Sequence, residues 1–318
     1  MSSQSPVHQP HDKLFKQAFS DLKTARAFLE PLVAADLAAT LDWSTLSLQP
    51  GSFIDSHFRQ SESDLLFSVQ STQGRRLVYL LFEHLRNEDI AFPLRVLRYI
   101  VRIWEKGQHP QTSGGKLPFI MAVVMAQNAK HWNLPTRFAE LVDVPRGCET
   151  FVPDFTFTLV QLADIPFEHI AGTPDGILVM RALKAEALGQ LLADELWDEN
   201  LFRQSSASIF EMVLQYLLSR NVDKEGFRLK VAHIQEPKLR ENAMTLAEQF
   251  KEEGRQEGRQ EGRQEGRQEG VLIGQVRLLQ DLLHQPLTPE EILQALSETE
   301  LRQLLQELKE RYDSRRTI

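Results

Sequence analysis

The chain has 318 residues, of which 42% are hydrophobic and 25% charged, the profile of a protein that can bury a sizeable core. Its 36 Lys and Arg against 44 Asp and Glu give a net charge of -8, which excludes a uniformly basic nucleic-acid coat and leaves room for a local basic patch. The single cysteine, Cys148, excludes an internal disulfide framework and a cysteine-based zinc cluster.

Residues 1–10 carry two prolines and no apolar run, and a disordered arm is expected there. The opening lacks the apolar centre of a signal peptide, and no apolar run approaches the ~18 residues that span a bilayer. A cytoplasmic protein without a membrane partner is expected. From residue 11 to 250 the composition is continuous, as for one globular domain. Residues 12–28 predict an amphipathic helix, with Leu14, Phe15, Ala18, Phe19 and Leu22 at helical spacing. Short apolar runs at 65–69 and 77–82 flank the polar stretch QSTQGRR and predict a β-hairpin. Residues 90–104 predict a helix ended by Gly107 and Pro110, and 119–125 a buried strand. Beyond Pro153 the pattern turns helical, notably over 180–196 and 206–218. A strand pair, one or more further strands and several helices make an α/β layer architecture.

Residues 251–270 hold a four-residue EGRQ repeat whose five Lys/Arg and six Glu nearly cancel. An interior glycine costs a helix roughly 1 kcal/mol relative to alanine. The favoured reading is therefore a solvated spacer, helical only in part. The other is a glycine-striped helix that admits a second helix closely and mediates self-association. Residues 271–318 predict a helical tail. Thr288-Pro289-Glu290-Glu291 and Ser297-Glu298-Thr299-Glu300 both have the pattern of a capping box.

Nucleotide-binding glycine loops, a GxSxG elbow and HExxH are absent from the sequence. His11-Asp12 is an isolated His-Asp dyad, more commonly a helix start than a catalytic pair. One constellation remains. A hairpin turn at Gln73-Gly74 sets Asp64 directly opposite Glu83, with Cβ atoms roughly 5 Å apart on one face. Like charges so placed repel, and a divalent cation is the natural compensation, Mg²⁺ being held by one or two carboxylates plus substrate phosphate oxygens. The plainer alternative puts both acids at solvated strand ends, and a slip of one residue would send them to opposite faces.

The stretch GSFIDSHFRQSESDLLFSV, then LVYLLFEH and FPLRVLRYIVRIWE, resembles the Rpn family of recombination-promoting nucleases, within the PD-(D/E)XK superfamily. HDKLFKQAF near the start, LPFIMAVVM before His131-Trp132, and the EGRQ tail resemble it too. The resemblance implies a restriction-endonuclease-like core, a mixed sheet flanked by helices, and Mg²⁺-dependent cleavage of DNA, with Mn²⁺ as a substitute. It assigns Asp64 and Glu83 to the metal and gives Asp12, on the first helix, an assisting catalytic place. The family reads Glu-His-Gln and the superfamily Glu-x-Lys where this chain has Glu83-His84-Leu85. A Gln or Lys can orient water or stabilise developing charge, and leucine can do neither. Arg86 is basic, but strand alternation aims it away.

Arg95, Arg98 and Arg102 recur at helical spacing opposite Leu94, Leu97, Val101 and Trp104. They could bind DNA phosphates, or simply form the solvated face of a packed helix. The leading expectation is a metal-dependent DNA endonuclease linked to recombination or mobile elements, assembled into a homo-oligomer through its tail. The alternative keeps the nuclease fold for DNA binding or assembly without catalysis, and a third reading makes the tail a regulator of a longer relative.

Overall fold

The computed structural model describes residues 10–49, 65–72, 77–106, 116–220 and 222–316, which fall into two compact units divided between Ala247 and Glu248. In the first, α1 (Pro10–Phe19) and α2 (Leu22–Leu29) occupy the segment whose periodicity predicts one helix. Asp21 makes the break: its backbone is extended, and its carboxylate accepts the Thr24 N–H at 2.9 Å to start a new helix. Leu14, Phe15, Ala18 and Phe19 are buried as expected, whereas the restart shifts the helical phase and leaves Leu22 exposed.

After a short α3 (Ala35–Ala38) come β1 (Leu41–Leu48), β2 (Leu65–Ser71) and β3 (Leu77–Leu85), then α4 (Phe92–Lys106), β4 (Phe119–Ala126) and β5 (Thr158–Gln161). The sheet runs in the order β1-β2-β3-β4-β5, antiparallel from β1 to β3 and parallel from β3 to β5, with α4 as the crossover that a parallel pair needs. Leu65 pairs with Phe82, Leu66 with Leu81 and Gln70 with Leu77, the register that the sequence predicts. The turn itself, at 73–76, lies outside the described residues. The β1–β2 ladder shifts register between Asp42 and Ser47, where Thr45 Oγ1 takes the Gln70 N–H at 2.9 Å.

Both faces of the sheet are covered, so its central strands read as nearly continuous apolar runs. Phe82, Phe67, Val69, Val123 and Met125 pack with α1, α2 and the helices α5 (Pro174–Ala187) and α7 (Ala207–Leu218). Leu66, Leu81, Leu85, Val124 and Ala126 face α4. That helix buries Phe92, Val96, Tyr99, Ile100 and Ile103, not the stripe read from the sequence: Leu94 and Val101 are exposed. Arg95, Arg98, Arg102 and Glu105 mark the polar side of α4, Leu94 and Val101 lie on its border, and Phe92 on the opposite side packs edge-on against Phe157.

The helix expected over 180–196 is α5, which begins earlier and stops at Ala187. Thr173 caps it, and Gly189 at φ +68° turns the chain out in a conformation that favours glycine. Short α6 (Glu199–Gln204) and α8 (Lys224–His233) complete the set, and Ser206 caps α7.

The helix α9 (Pro237–Leu282) contains the whole EGRQ repeat, so the stretch expected to be helical only in part is helical throughout. Glu, Arg and Gln are good helix formers, and both ends of α9 are anchored by packing, Ala243 in the main core and Leu272, Ile273 and Val276 in the tail core. In the second unit α10 (Glu290–Gln294) and α11 (Glu298–Arg316) pack Leu293, Leu301, Leu305 and Leu308 against that end of α9. The Ser297 capping box forms, the Ser297 N–H reaching Glu300 at 2.7 Å and the Glu300 N–H reaching Ser297 Oγ at 3.3 Å. The Thr288 box does not: its hydroxyl and N–H are engaged by the Gln280 side chain instead. No helix among the described residues is long and apolar enough to cross a membrane.

Candidate active site

Glu83 lies near the end of β3 and is 0% exposed. Alternation places its side chain with Leu81 and Leu85 on the α4 side of the sheet. Leu85, where the resemblance expects a polar or cationic group, is buried in the apolar cluster on the α4 face that also holds Phe92 and Trp132. Asp64 lies outside the described residues, one position before the first described ladder pair.

His84 points to the opposite face. Its ring stacks on Phe15 with centroids 5.2 Å apart, its Nδ1 is 3.3 Å from Asp12 Oδ1, and its Nε2 is 3.0 Å from Gln127 Oε1. The structure thus brings Asp12 to His84 rather than to the Glu83 face. Gln127, immediately after β4 and fully buried, donates through Nε2 to Leu183 O at 3.0 Å, to Glu186 Oε2 at 2.8 Å and to the Tyr216 hydroxyl at 3.2 Å. His11 Nδ1 is 3.1 Å from that same hydroxyl. Burial, then the nearby Arg220 and Arg86 cations, lower the His11 pKa to about 4, and burial beside Glu186 raises that of Tyr216. Six side chains from α1, β3, the end of β4, α5 and α7 form one polar network beneath the ends of two adjacent parallel strands.

Arg86 follows strand alternation away from Glu83 and donates to Glu186 Oε1 at 3.0 Å. Of the three arginines on α4, Arg95 is braced: it donates to Asp89 Oδ2 at 2.9 Å and its guanidinium lies 4.9 Å from the Phe92 ring centroid. Arg98 is exposed and Arg102 half-buried. Among the described residues no group of three or more His, Cys, Asp or Glu is arranged to hold a metal ion. His84, Gln127, Glu186 and Tyr216 escape the sequence reading. The usable signal for Gln127 is a glutamine closing the apolar run FIMAVVMA, where a buried strand end leaves a polar group in need of partners.

A family model described as "Putative transposase, YhgA-like" matches residues 9–190, more than half of the chain. The chain belongs to this family, that of the Rpn recombination-promoting nucleases. It is 26% identical over 253 residues to recombination-promoting nuclease RpnD of Escherichia coli O157:H7, covering 77% of this chain and 95% of that protein. Over 123 residues it is 31% identical to recombination-promoting nuclease RpnC of Escherichia coli strain K12, 39% of this chain and 40% of that protein. It is also 26% identical over 267 residues to the same strain's inactive recombination-promoting nuclease-like protein RpnE, 79% of this chain and 85% of that protein. No solved structure gives a significant match. The matched segment of this Rpn-family chain holds Glu83, His84, Gln127 and Glu186, while Tyr216 and the helices after α5 lie beyond it.

Proposed function

We propose that this nuclease-family chain is a cytoplasmic, metal-dependent DNA endonuclease acting in recombination or on mobile elements, with water as nucleophile and no covalent enzyme intermediate. The observation that carries the reading is the β2–β3 register together with the burial of Glu83. The described ladder ends at Leu65 opposite Phe82 and agrees with the sequence-based expectation that Asp64 faces Glu83. Burying a carboxylate as deeply as Glu83 costs several kcal/mol unless positive charge compensates it, and a bound cation would supply that charge. Two carboxylates without a thiolate suit a hard cation, and Asp64 and Glu83 would hold Mg²⁺ or Mn²⁺. Such an ion, when bound, polarises the phosphodiester and lowers the pKa of a water. Asp12 acts through His84, bracing the end of β3, and Arg95, Arg98 and Arg102 of α4 would engage DNA phosphates.

Incubating supercoiled plasmid with the protein, with Mg²⁺, with Mn²⁺ or with chelator, tests this. Nicking that requires the metal and disappears in Asp64→Ala is expected; nicking that persists in that variant overturns the assignment.

A second reading rests on Leu85, whose burial in an apolar cluster removes a donor from the site. In it the chain binds DNA or assembles on it without cutting. An inert wild type together with a Leu85→Gln variant that cuts selects this reading. Self-association through the tail is proposed alongside either, supported by Val271, Leu278 and Leu282, which α9 leaves exposed along one stripe. Removing residues 253–318 is expected to lower the particle mass in light scattering, and an unchanged mass refutes it.

A further inference from the structure

Resting on the nucleic-acid role proposed above, we infer that the cleft at the carboxyl ends of β3 and β4 is a phosphate-binding subsite for a nucleotide unit, separate from the carboxylate pair. The cleft encloses about 390 Å³ and is walled by the segments that follow the two strands, Arg86 to Glu88 and Gln127 to Lys130, with Glu186 of α5 as its floor. In α/β sheets the space beyond the carboxyl ends of parallel strands is where ligands bind, because the loops there can diverge without disturbing the layers beneath.

Four features select a phosphate with its sugar. The cleft has two cations. Arg86 is about half exposed and commits one terminal nitrogen to Glu186, which leaves its other N–H groups uncommitted, and Lys130 stands exposed on the other wall. The two acids of the cleft are already engaged: Glu186 accepts from Arg86 and Gln127, and Glu88 accepts the Asn133 N–H at 2.8 Å. Asn128 Oδ1 is buried without a hydrogen-bond partner among the described residues, an acceptor suited to a sugar hydroxyl. Behind the cleft, Gln127 is fixed on four sides by His84, Leu183, Glu186 and Tyr216, so the floor is formed before any ligand arrives. Arg86 follows Glu83 by three residues, about 10 Å along the strand.

The test is binding of a fluorescein-labelled single-stranded 12-mer, followed by anisotropy at low salt in chelator, so that the result does not depend on cleavage. Lys130→Ala and Arg86→Ala are each expected to raise Kd at least fivefold. Arg86→Lys, which keeps the charge, should recover most of the loss, and Lys224→Ala on α8 serves as a control for bulk charge. Millimolar adenosine monophosphate that displaces the probe identifies a single nucleotide phosphate as sufficient. Failure to displace it, with the two alanine variants still weak, identifies phosphates within a strand, and both results support the subsite. Wild-type affinity in Lys130→Ala and Arg86→Ala, or an equal loss in Lys224→Ala, overturns it. A chain that binds with these dependences yet never nicks plasmid loses the hydrolytic reading alone.

Discussion

Substituting Leu85 by glutamine exchanges an apolar side chain on the α4 face for an amide two residues from Glu83. Burying the amide in this apolar cluster is expected to cost about 1–3 kcal/mol in denaturant unfolding, while plasmid nicking rises. Stability and activity moving in opposite directions at one position separate a site effect from a packing effect. Gln127 has the converse role. Gln127→Leu strips partners from His84, Glu186 and Tyr216 at once, and a loss of roughly 2–4 kcal/mol is expected from a shift in the urea midpoint. His11 gives the pH dependence. Its folded pKa of about 4 lies below the ordinary 6.5, so the fold favours the neutral ring. The resulting stability is complete above about pH 6.5, declines as pH falls, and is lost below about pH 4, a change of roughly 3 kcal/mol. In His11→Gln the urea midpoint should vary much less between pH 7 and pH 4.5. At this scale the sequence shows Glu83 and Leu85, because strand alternation is a local rule. It hides the partnership of Asp12 with His84 and of His11 with Tyr216, because contacts across 72 and 205 residues depend on how helices pack on the sheet.

Among the elements, the hairpin register was legible because alternating faces and a Gly-containing turn admit few alternatives. The phase of α4 was not, since Leu94 and Val101 border its arginine stripe instead of opposing it, and the face that turns in carries Phe92, Val96, Tyr99 and Ile103. The division of α1 from α2 rests on one carboxylate. Asp21→Ala is expected to cost about 1 kcal/mol, read from thermal unfolding. In α9 the glycines of the repeat have the opposite sign. A Cβ on Gly258, Gly262 or Gly266 would meet nothing within 4 Å, so alanine at all three should strengthen the helix by about 1 kcal/mol per site, seen as a higher melting temperature by circular dichroism. A lower particle mass in the same variant would show that a second helix needs the bare glycine surface.

For the whole molecule, the tail carries a hydrophobic cluster of its own, from Leu272 to Leu308, and is expected to unfold in a transition of its own. Leu305→Ala, in the tail core, is expected to lower one calorimetric transition by the equivalent of about 2–5 kcal/mol and to leave the transition of the sheet-containing unit in place. The sequence anticipated the α/β layer and the helical C-terminal region. It did not anticipate the unbroken helicity of the repeat, because glycine propensity is a local quantity and anchoring at both ends is not.

The register shift in β1 has a bearing on how this sheet behaves in a crowded cell. Between Asp42 and Ser47 the outermost strand departs from regular pairing, with Asp42 folded back onto Ser44 and the Thr45 hydroxyl standing in for a ladder acceptor. A foreign peptide seeking to extend the sheet would find its template of main-chain donors and acceptors interrupted after a few residues. The irregular margin thus opposes fibril-like growth from the one flank where a long strand would otherwise invite it.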